Sequence, residues 1–399
     1  MKLPVLTSKL SLKGKRVFVR VDWNVPLSGE FAGEDSLKLS RSLRTIAELV
    51  GREATVIVAT HLGRPKKKDP KLSTKQLLSR VHLPKVHLQF LGDDLSTPNG
   101  LKSAQGTIEK AKPGSVFLLE NVRFYPGEEK NDKKLAKAFA SLADVFVNDA
   151  FASCHRVHAS VVGVASLLPH YAGPSLVDEV AALEKLLGKP KRPYLAFIGG
   201  AKVSTKIDVI TSLLKIADRV YIGGAMATAF LAAAKKNVGT SFLEKEGIPL
   251  AKKLLKEKKV VLPVDVLVAK KVAAGAKPHF VSIDEVPKKE AIGDIGPRTM
   301  LEWSMDIRKA KTIVWNGPMG VTEVPAFSYG SLVLARSIAA RSKGACYGVV
   351  GGGDTLPVAI ASGMTEWYDH LSTGGGAMLE FIAENGKLPG LTALFAKQK

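Results

Sequence analysis

The sequence predicts an α/β protein with two doubly wound, parallel-sheet (Rossmann-like) domains joined by a hinge helix. Its 399 residues are enough for two domains, and the content of 46% apolar and 24% charged residues is that of a globular protein. Short β-rich runs alternate with helical patterns along the chain, which is typical of parallel sheets. Near the middle, the turn signal at 172–175 precedes a well-patterned helix, which we interpret as the connection between the domains.

Runs rich in Val, Ile, Phe and Leu predict the strands of both domains. In the first half they cover residues 16–25, 55–60, 85–90, 115–121 and 144–149. In the second half they cover residues 194–200, 219–224, 259–269, 312–317 and 345–354. The predicted boundaries are therefore 1–172 for the first domain, 173–188 for the helix, 189–373 for the second domain, and 374–399 for a C-terminal segment that returns toward the first.

The residues that follow the first-half strands carry cationic or hydrogen-bonding side chains. Ligands of open parallel sheets bind beyond the carboxyl ends of the strands, so these positions are the candidates for a site. They are Asp22, Asn24, His61, Arg64, Arg123, His155, Arg156 and His158. Because arginine binds phosphate or carboxylate through two parallel hydrogen bonds, this half predicts a site for a compact polyanion. The alternative is that each arginine pairs with a nearby carboxylate such as Asp22 or Asp149.

The second-half strands end instead on glycines, at 199–200, 223–224, 317 and 351–353, and a second triple glycine occupies 374–376. Glycine lets a backbone approach a ligand closely, and a helix that begins after it presents N–H groups to an anion. Neither triple glycine has the Lys-Ser/Thr of a Walker loop or the spacing of a dinucleotide fingerprint. The pattern predicts a nucleotide phosphate site, with tight packing or a flexible connector as the alternatives.

Composition limits the other classes of function. The net charge of +21 attracts anions of every kind, including phosphorylated metabolites and nucleic acid. A nucleic-acid or polyphosphate binder is therefore an alternative, although only 7% of residues are aromatic and no nucleic-acid motif is present. The two cysteines are far apart, which favours a reducing cytoplasm. No signal peptide or 18-residue apolar run is found, so no membrane partner is expected.

Eight motifs, in order along essentially the whole chain, resemble those of the phosphoglycerate kinase family. They are RVDWNVP (20–26), HLGRP (61–65), LLENVRFYPGEEKND (118–132), DVFVNDAFASCHRVHAS (144–160), GGAKVSTKI (199–207), WNGPMG (315–320), GGGDT (351–355) and STGGGA (372–377). The resemblance implies a two-lobed enzyme of glycolysis that transfers a phosphoryl group between 1,3-bisphosphoglycerate and ADP, giving 3-phosphoglycerate and ATP. It also implies direct in-line transfer after hinge closure, small-molecule partners only, no specific nucleic acid, and a monomer.

The resemblance also implies roles for individual residues. Those expected to bind the triose are Asp22, Trp23, Asn24, Lys38, His61, Leu62, Gly63, Arg64, Arg123, Arg156 and His158. Those expected to bind the nucleotide are Lys202, Lys206, Gly223, Gly224, Gly296, Asn316, Glu323, Gly352, Gly353, Asp354 and Thr355. Those expected to act on the transferring group are Lys38, Lys202, Gly374, Gly375 and Gly376. Asp354 would hold Mg²⁺.

Two positions depart from the family's pattern. Lys38 stands where the family has arginine, so either Lys38 supplies this cation or Arg41 reaches in from the next helical turn. A lysine keeps the charge but loses the planar fork, which leaves a catalytically silent relative as a further alternative. Thr322 stands where the family generally has an aromatic residue, and this predicts an altered wall of the nucleotide pocket.

Overall fold

The computed structural model describes residues 2–7, 10–27, 34–82 and 87–396. The chain divides into two compact units, one of Met1–Ala181 with Lys387–Lys399 and one of Ala182–Gly386. We call them unit 1 and unit 2. Each unit contains a six-stranded parallel sheet, so the predicted fold class is confirmed.

The sheet of unit 1 has six strands: β1 (Arg16–Arg20), β2 (Thr55–Ala59), β3 (Leu88–Leu91), β4 (Val116–Leu119), β5 (Val145–Asn148) and β6 (His170–Ala172). Their order is β3-β4-β2-β1-β5-β6. Strands β2, β4 and β5 are buried along their whole length, which is why they appear in the sequence as continuous apolar runs. The short strand β6 was not predicted, and residues 85–86 of the predicted strand 85–90 lie outside the described residues.

The helices described along residues 34–187 are α1 (Glu34–Gly51), α2 (Pro98–Glu109), α3 (Lys133–Ser141) and α4 (Pro174–Leu187). The first turns of α4, the predicted connecting helix, are bound to unit 1. The buried Asp149 carboxylate accepts the N–H groups of Ser175 (2.8 Å) and Leu176 (3.2 Å), and Arg41 forms an ion pair with Glu179 at 3.1 Å. These contacts explain why unit 1 extends to Ala181, within the predicted connecting helix 173–188.

Unit 2 contributes nine strands: β7 (Tyr194–Ile198), β8 (Arg219–Ile222), β9 (Val260–Val261), β10 (Asp265–Ala269), β11 (His279–Ser282), β12 (Ala291–Ile295), β13 (Thr312–Asn316), β14 (Tyr347–Gly351) and β15 (His370–Ser372). The parallel sheet has the order β15-β14-β13-β7-β8-β9. The other three strands form an antiparallel sheet of order β11-β10-β12. Strands β11, β12 and β15 were not predicted.

The prediction of one strand over residues 259–269 is wrong. Its first part is the edge strand β9 of the parallel sheet, and its second part is the central strand β10 of the antiparallel sheet. Pro263 lies between them, and proline has no N–H to donate to a continuous ladder. The Asp265 carboxylate then accepts the N–H groups of Arg298 and Thr299 at 2.9 and 2.7 Å, which caps the start of the following helix.

The helices of unit 2 are α5 (Ile207–Ile216), α6 (Ala227–Ala233), α7 (Gly247–Leu254), α8 (Pro297–Lys309), α9 (Tyr329–Arg341), α10 (Leu356–Ala361) and α11 (Gly376–Ala383). Helix α11 lies against α5, and Ser212 donates to the Ala383 carbonyl at 3.1 Å. Residues up to Gly386 belong to unit 2, and unit 1 resumes at Lys387, within the predicted C-terminal segment 374–399. There α12 (Pro389–Thr392) places the N–H of Gly390 2.8 Å from the Cys154 carbonyl. Residues 397–399 lie outside the described residues.

Helix α1 is attached to the core of unit 1 through Trp23. The indole N–H of Trp23, which is fully buried, donates to Ser42 Oγ at 2.6 Å.

Among the described residues, no helix is long and apolar enough to cross a membrane.

Replacing Ser42 by alanine should lower the free energy of unfolding by about 1–3 kcal/mol, because the buried Trp23 N–H loses its acceptor. The matched control is Ser40→Ala, on the exposed side of the same helix, which should change it by less than about 0.5 kcal/mol. Urea unfolding curves of both variants and the parent measure the difference. Equal destabilisation by the two variants would contradict the proposed anchoring of α1.

Candidate functional site

Four neighbouring strands of unit 1, β4, β2, β1 and β5, end at one edge of the sheet, and the loops that follow them are bound to one another. Asn24 Oδ1 accepts the N–H of Gly63 at 2.7 Å, and Arg123 Nη1 donates to the Gly63 carbonyl at 2.5 Å. Gly63 adopts φ +60°, which favours glycine at this turn. In the neighbouring loop, Arg156 Nε lies 3.0 Å from His155 Nε2. The structure therefore brings the strand-end loops that carry most of the predicted triose residues together at one edge.

Beneath this edge lies a buried polar network that the sequence analysis missed. Arg20, 1% exposed, donates through Nε to Ser160 Oγ (3.0 Å), and its Nη2 lies 3.1 Å from His61 Nδ1 and 3.3 Å from Ser153 Oγ. The fully buried Glu128 accepts the hydroxyl of Ser160 at 2.5 Å. The available signal was an arginine at the end of an otherwise apolar strand, since a buried arginine needs partners.

The three histidines of this edge are neutral at neutral pH. Burial, followed by the charges of Arg20, Arg123 and other cations, holds the pKa of His61 well below its usual range. Burial and the same cluster of cations lower the pKa of His158 to about 3, and burial and Arg156 lower that of His155 to about 4. The arginines therefore carry the positive charge, while the histidines act as neutral hydrogen-bonding groups.

The alternative in which Asp149 neutralises an arginine of this edge is wrong. Asp149 caps α4 and accepts the hydroxyl of Thr45 at 2.6 Å, and burial raises the pKa of this carboxyl to about 6. The carboxylate near Arg123 is that of Glu129, which is exposed and lies 3.7 Å from Arg123 Nε. Arg64 is exposed and Arg156 is half-buried. Their charges remain accessible from solvent.

Two predicted triose residues, Trp23 and Leu62, have buried side chains. Trp23 and Leu62 are 0% and 1% exposed and belong to the apolar core beneath the sheet edge. The carbonyl of Leu62 accepts the amide of Asn121 at 2.9 Å. Their side chains therefore pack in the core, and their predicted role at the triose falls to the backbone at this edge.

Lys38 and Arg41 lie one turn apart on α1 and have different surroundings. Arg41 is bound to the buried carboxylate of Glu179, which directs it toward α4. Lys38 is half-buried, and both Lys38 and Asp22 act electrostatically on Asp35, whose pKa is raised by burial. Lys38 thus lies on the side of Asp22, one of the predicted triose residues.

In unit 2 the predicted site residues follow the strands β7, β8, β13 and β14, which are neighbours in the parallel sheet and end at one edge. Lys206 Nζ donates to the Gly199 carbonyl and to Asn316 Oδ1, both at 2.7 Å. Asn316 Nδ2 in turn donates to the Gly351 carbonyl at 2.8 Å, and Gly317 N–H donates to Thr355 Oγ1 at 2.6 Å. Asn316 and Thr355 therefore tie the ends of β13 and β14 together, and Asn316 and the Gly199 carbonyl hold the ammonium group of Lys206.

Burial lowers the pKa of Lys206 to about 8, and the nearby Asp354 carboxylate partly opposes this shift. The two oxygens that accept from Lys206 are neutral, so its charge is only incompletely balanced within the site. A phosphate placed beside Nζ would stabilise the charged amine. The arrangement is thus suited to an anion.

The predicted glycines fall into two groups. A Cβ on Gly199 would lie 2.0 Å from the Pro318 carbonyl, one on Gly224 would lie 2.6 Å from the Gly200 nitrogen, and one on Gly317 would lie 2.2 Å from the Gly199 carbonyl. These glycines are required for packing between the strand-end loops, which is the tight-packing alternative of the sequence analysis. By contrast, a Cβ on Gly375 or Gly376 would have no atom within 4 Å, so this backbone opens onto solvent at the start of α11.

The remaining predicted residues of unit 2 are mostly exposed. Lys202, Glu323, Gly353 and Asp354 are exposed, and Gly296 precedes α8 against the Asp265 carboxylate. Within the described residues, no group of three or more His, Cys, Asp or Glu side chains could hold a metal. A single exposed carboxylate at a phosphate site is nevertheless the donor set that Mg²⁺ uses, because substrate phosphates supply the other ligands.

Comparison with protein families matches residues 7–385 to the family described as phosphoglycerate kinase. A protein of Thermus thermophilus named phosphoglycerate kinase is 46% identical over 392 residues, covering 96% of this chain and 98% of that protein. Another of that name, from Pelotomaculum thermopropionicum, is 43% identical over 396 residues, covering 97% and 98%.

Solved structures agree with this assignment. The structure of phosphoglycerate kinase from Coxiella burnetii superposes with a TM-score of 0.84 at 38% identity, covering 99% of this chain and all of that one. That of the enzyme from Pyrococcus horikoshii gives 0.85 at 31% identity, with 98% of both chains covered.

Acid should destabilise the protein through the histidines of unit 1. Their folded pKa values lie below the ordinary 6.5, so below that pH the unfolded chain binds protons that the folded chain does not, and stability falls as the pH drops from about 6.5 toward 4. Arg156→Gln should raise the pKa of His155 and His158, because it removes a neighbouring positive charge. NMR titration measures this shift, and Arg336→Gln, an exposed arginine of unit 2, is the control. Histidines that titrate near 6.5 in the parent would contradict the analysis.

Proposed function

The chain belongs to the phosphoglycerate kinase family, and from this premise we propose how its residues carry out the family's reaction. That reaction transfers a phosphoryl group between 1,3-bisphosphoglycerate and ADP and forms 3-phosphoglycerate and ATP in glycolysis. In the reverse direction the acceptor is the carboxyl group of 3-phosphoglycerate. The observation that supports the proposed assignment of substrates is the contrast between an arginine-rich edge in unit 1 and a lysine- and glycine-lined edge in unit 2.

We propose that the edge of unit 1 binds the triose. Arg64, Arg123 and Arg156 would bind its phosphate and carboxylate oxygens by charge-assisted hydrogen bonds. Arg123 is already oriented by its bond to the Gly63 carbonyl, and Asn24 holds the same glycine from the other side. The Asp22 carboxylate would accept a hydrogen bond from the triose hydroxyl, and the Asn24 amide would accept one from it or donate one to it. The neutral His61 and His158 would donate N–H groups without adding charge.

The acceptor carboxylate needs no general base, because a carboxylic acid is already ionised at neutral pH. The buried neutral histidines agree with this, since none has a pKa suited to proton transfer near pH 7. The protein's contribution would be to orient the two reacting groups and to balance the charge on the phosphoryl oxygens.

The nucleotide would bind at the edge of unit 2. Lys206 would meet its phosphates, since its ammonium group lies at the ends of β7 and β13. Thr355 and the backbone of Gly352 and Gly353 would border the same phosphates at the start of α10. Glu323, Gly223, Gly224 and Gly296 would lie along the ribose and base, and Thr322 would form part of the pocket wall.

Mg²⁺ would be held by Asp354 together with phosphate oxygens, and when bound it would neutralise part of the phosphate charge. Asp354 suits this role because it is exposed, follows β14, and acts electrostatically on Lys206. Lys38, Lys202 and the backbone of Gly374 to Gly376, which is open at Gly375 and Gly376, would stabilise the phosphoryl group during in-line transfer. The transfer requires the two substrates to meet, so hinge closure is part of the proposal.

We also propose that the protein acts as a cytoplasmic monomer without a specific nucleic-acid or membrane partner. The support is its small-molecule substrates and its two thiols, Cys154 and Cys346, which are buried and free.

Asp354→Ala should abolish nearly all ATP-dependent phosphorylation of 3-phosphoglycerate, yet leave 3-phosphoglycerate affinity nearly unchanged, because the carboxylate would bind only the metal and its nucleotide.

Arg123→Ala should weaken 3-phosphoglycerate binding by about 1.5–3 kcal/mol and leave ADP affinity unchanged. A coupled assay with and without Mg²⁺ measures turnover, and calorimetry measures each affinity.

The matched controls remove the same charges elsewhere. Glu257→Ala removes an exposed carboxylate of unit 2, and Arg44→Ala removes an exposed arginine of unit 1. Both should retain parental affinities and turnover. If Arg123→Ala weakens ADP instead of 3-phosphoglycerate, the assignment of substrates to units is wrong.

Lys38→Arg should raise kcat severalfold with little change in KM, because a planar fork adds a contact that belongs to the transition state. This gain corresponds to about 1 kcal/mol. Lys38→Ala should cost far more, since it removes the charge. Steady-state kinetics of both variants measure the effect.

Arg41→Ala distinguishes the two candidate cations. Because Arg41 is bound to buried Glu179, its loss should lower stability but not the kcat of the folded enzyme. A large drop in kcat for Arg41→Ala, with Lys38→Arg neutral, would assign the role to Arg41 instead.

A further inference from the structure

The parallel sheet of unit 2 has a cavity at the opposite ends of its strands from the proposed nucleotide site. Its volume is about 850 Å³. Thr312 and Tyr347, which line it, are the first residues of β13 and β14, and Arg192 lies just before β7. We call it the amino-edge cavity. A five-residue strand spans about 16 Å, so a ligand here would not reach Lys206.

The amino-edge cavity is strongly cationic. Five cationic side chains line it, against the single carboxylate of Asp369: Lys185, Lys189, Lys191, Arg192 and Lys311. That carboxylate already accepts the N–H groups of Lys343 (3.1 Å) and Gly348 (2.7 Å). The negative charge of Asp369 is thus partly compensated by these backbone N–H groups.

The cationic groups of the cavity differ in whether they already bind another residue of the protein. Arg192 is bound to Asp218, outside the cavity. The ammonium groups of Lys189, Lys191 and Lys311 make no hydrogen bond or ion pair with any residue that the structure describes. Three lysines gathered at one cavity repel one another, and an anion bound between them would remove this repulsion.

The single aromatic residue among those that line the cavity cannot serve as a platform for a nucleobase. Lys185 Nζ lies 4.9 Å from the centroid of the Tyr347 ring and covers its face. The Tyr347 hydroxyl donates to the Ala182 carbonyl at 3.0 Å. Proteins that bind single-stranded nucleic acid stack bases on open aromatic faces, and the cavity offers none.

We propose that the amino-edge cavity binds a compact condensed phosphate, a chain of phosphates without nucleoside, distinct from both substrates. Lys189, Lys191 and Lys311 meet adjacent phosphates as point charges, and Lys185 extends the cationic wall. The volume accommodates several phosphate groups. The site accounts for part of the +21 charge that the phosphoryl-transfer reaction does not use.

The test is calorimetric titration of the full chain with inorganic tripolyphosphate, without Mg²⁺ and with ADP and 3-phosphoglycerate saturating. The parent should bind one tripolyphosphate under these conditions. The variant Lys189→Gln/Lys191→Gln/Lys311→Gln should bind it at least tenfold more weakly and with a shallower dependence on salt. The control Lys252→Gln/Lys253→Gln/Lys256→Gln removes the same charge from an exposed face of unit 2 and should stay within twofold of the parent.

Several outcomes would overturn the proposal. They are absence of binding to the parent at low salt, equal weakening by both triple variants, and displacement of tripolyphosphate by single-stranded RNA in a base-dependent manner. The cavity variant should keep the parental kcat and melt no lower than the parent, because it relieves repulsion. If it fails to fold, Lys191→Gln alone should still weaken binding severalfold, and an unchanged affinity would refute the site.

Discussion

The arginine-rich edge of unit 1 depends on the buried guanidinium of Arg20. A buried charge is tolerated only when hydrogen bonds and an opposite charge compensate for its lost hydration. Arg20 obtains these from the Val21 carbonyl, Ser160, Ser153 and His61, with Glu128 behind Ser160.

The position of that one cation controls the electrostatics above it. Its charge helps to keep His61 and His158 neutral, so the surface arginines can gather at the strand ends without further cations between them. Glu128 in turn accepts the N–H of Ser160, which fixes the loop after β5 against the loop after β4. Glu128 thus compensates for the buried charge of Arg20 from below, and Arg123, beside the exposed carboxylate of Glu129, is the only arginine of this edge for which an ion pair is seen in the described residues.

The corresponding sheet edge of unit 2 is formed by closely packed glycines and one lysine instead of by arginines. Its strand-end loops approach so closely that Gly199, Gly224 and Gly317 have no space for a side chain, and the buried amide of Asn316 bonds to the last residue of β14. Charge enters through Lys206, inserted between backbone and amide oxygens. This difference supports the proposed assignment of substrates, in which arginine forks would match the shape of a small acid phosphate and the glycine-lined backbone with a single amine would leave room for a nucleotide. The opposite edge of the same sheet carries lysines without such packing, which is why its binding should depend on charge more than on shape.

The sequence by itself determined the fold class and the chemistry of the two sheet edges, because apolar runs identify buried parallel strands and a strand's end is a local property. It also placed the departure from the family at Lys38. Tertiary structure decided what depends on contacts between distant segments. It split residues 259–269 between two sheets, bound Arg41 to Glu179 instead of to the site, and assigned Asp149 to a helix cap. It also turned Trp23 and Leu62 into the core, and buried Glu128 while leaving Glu129 exposed. Two adjacent glutamates have the same local preferences, and only the packing of the π-helical turn at Ala159–Gly163 over one of them determines which is removed from water.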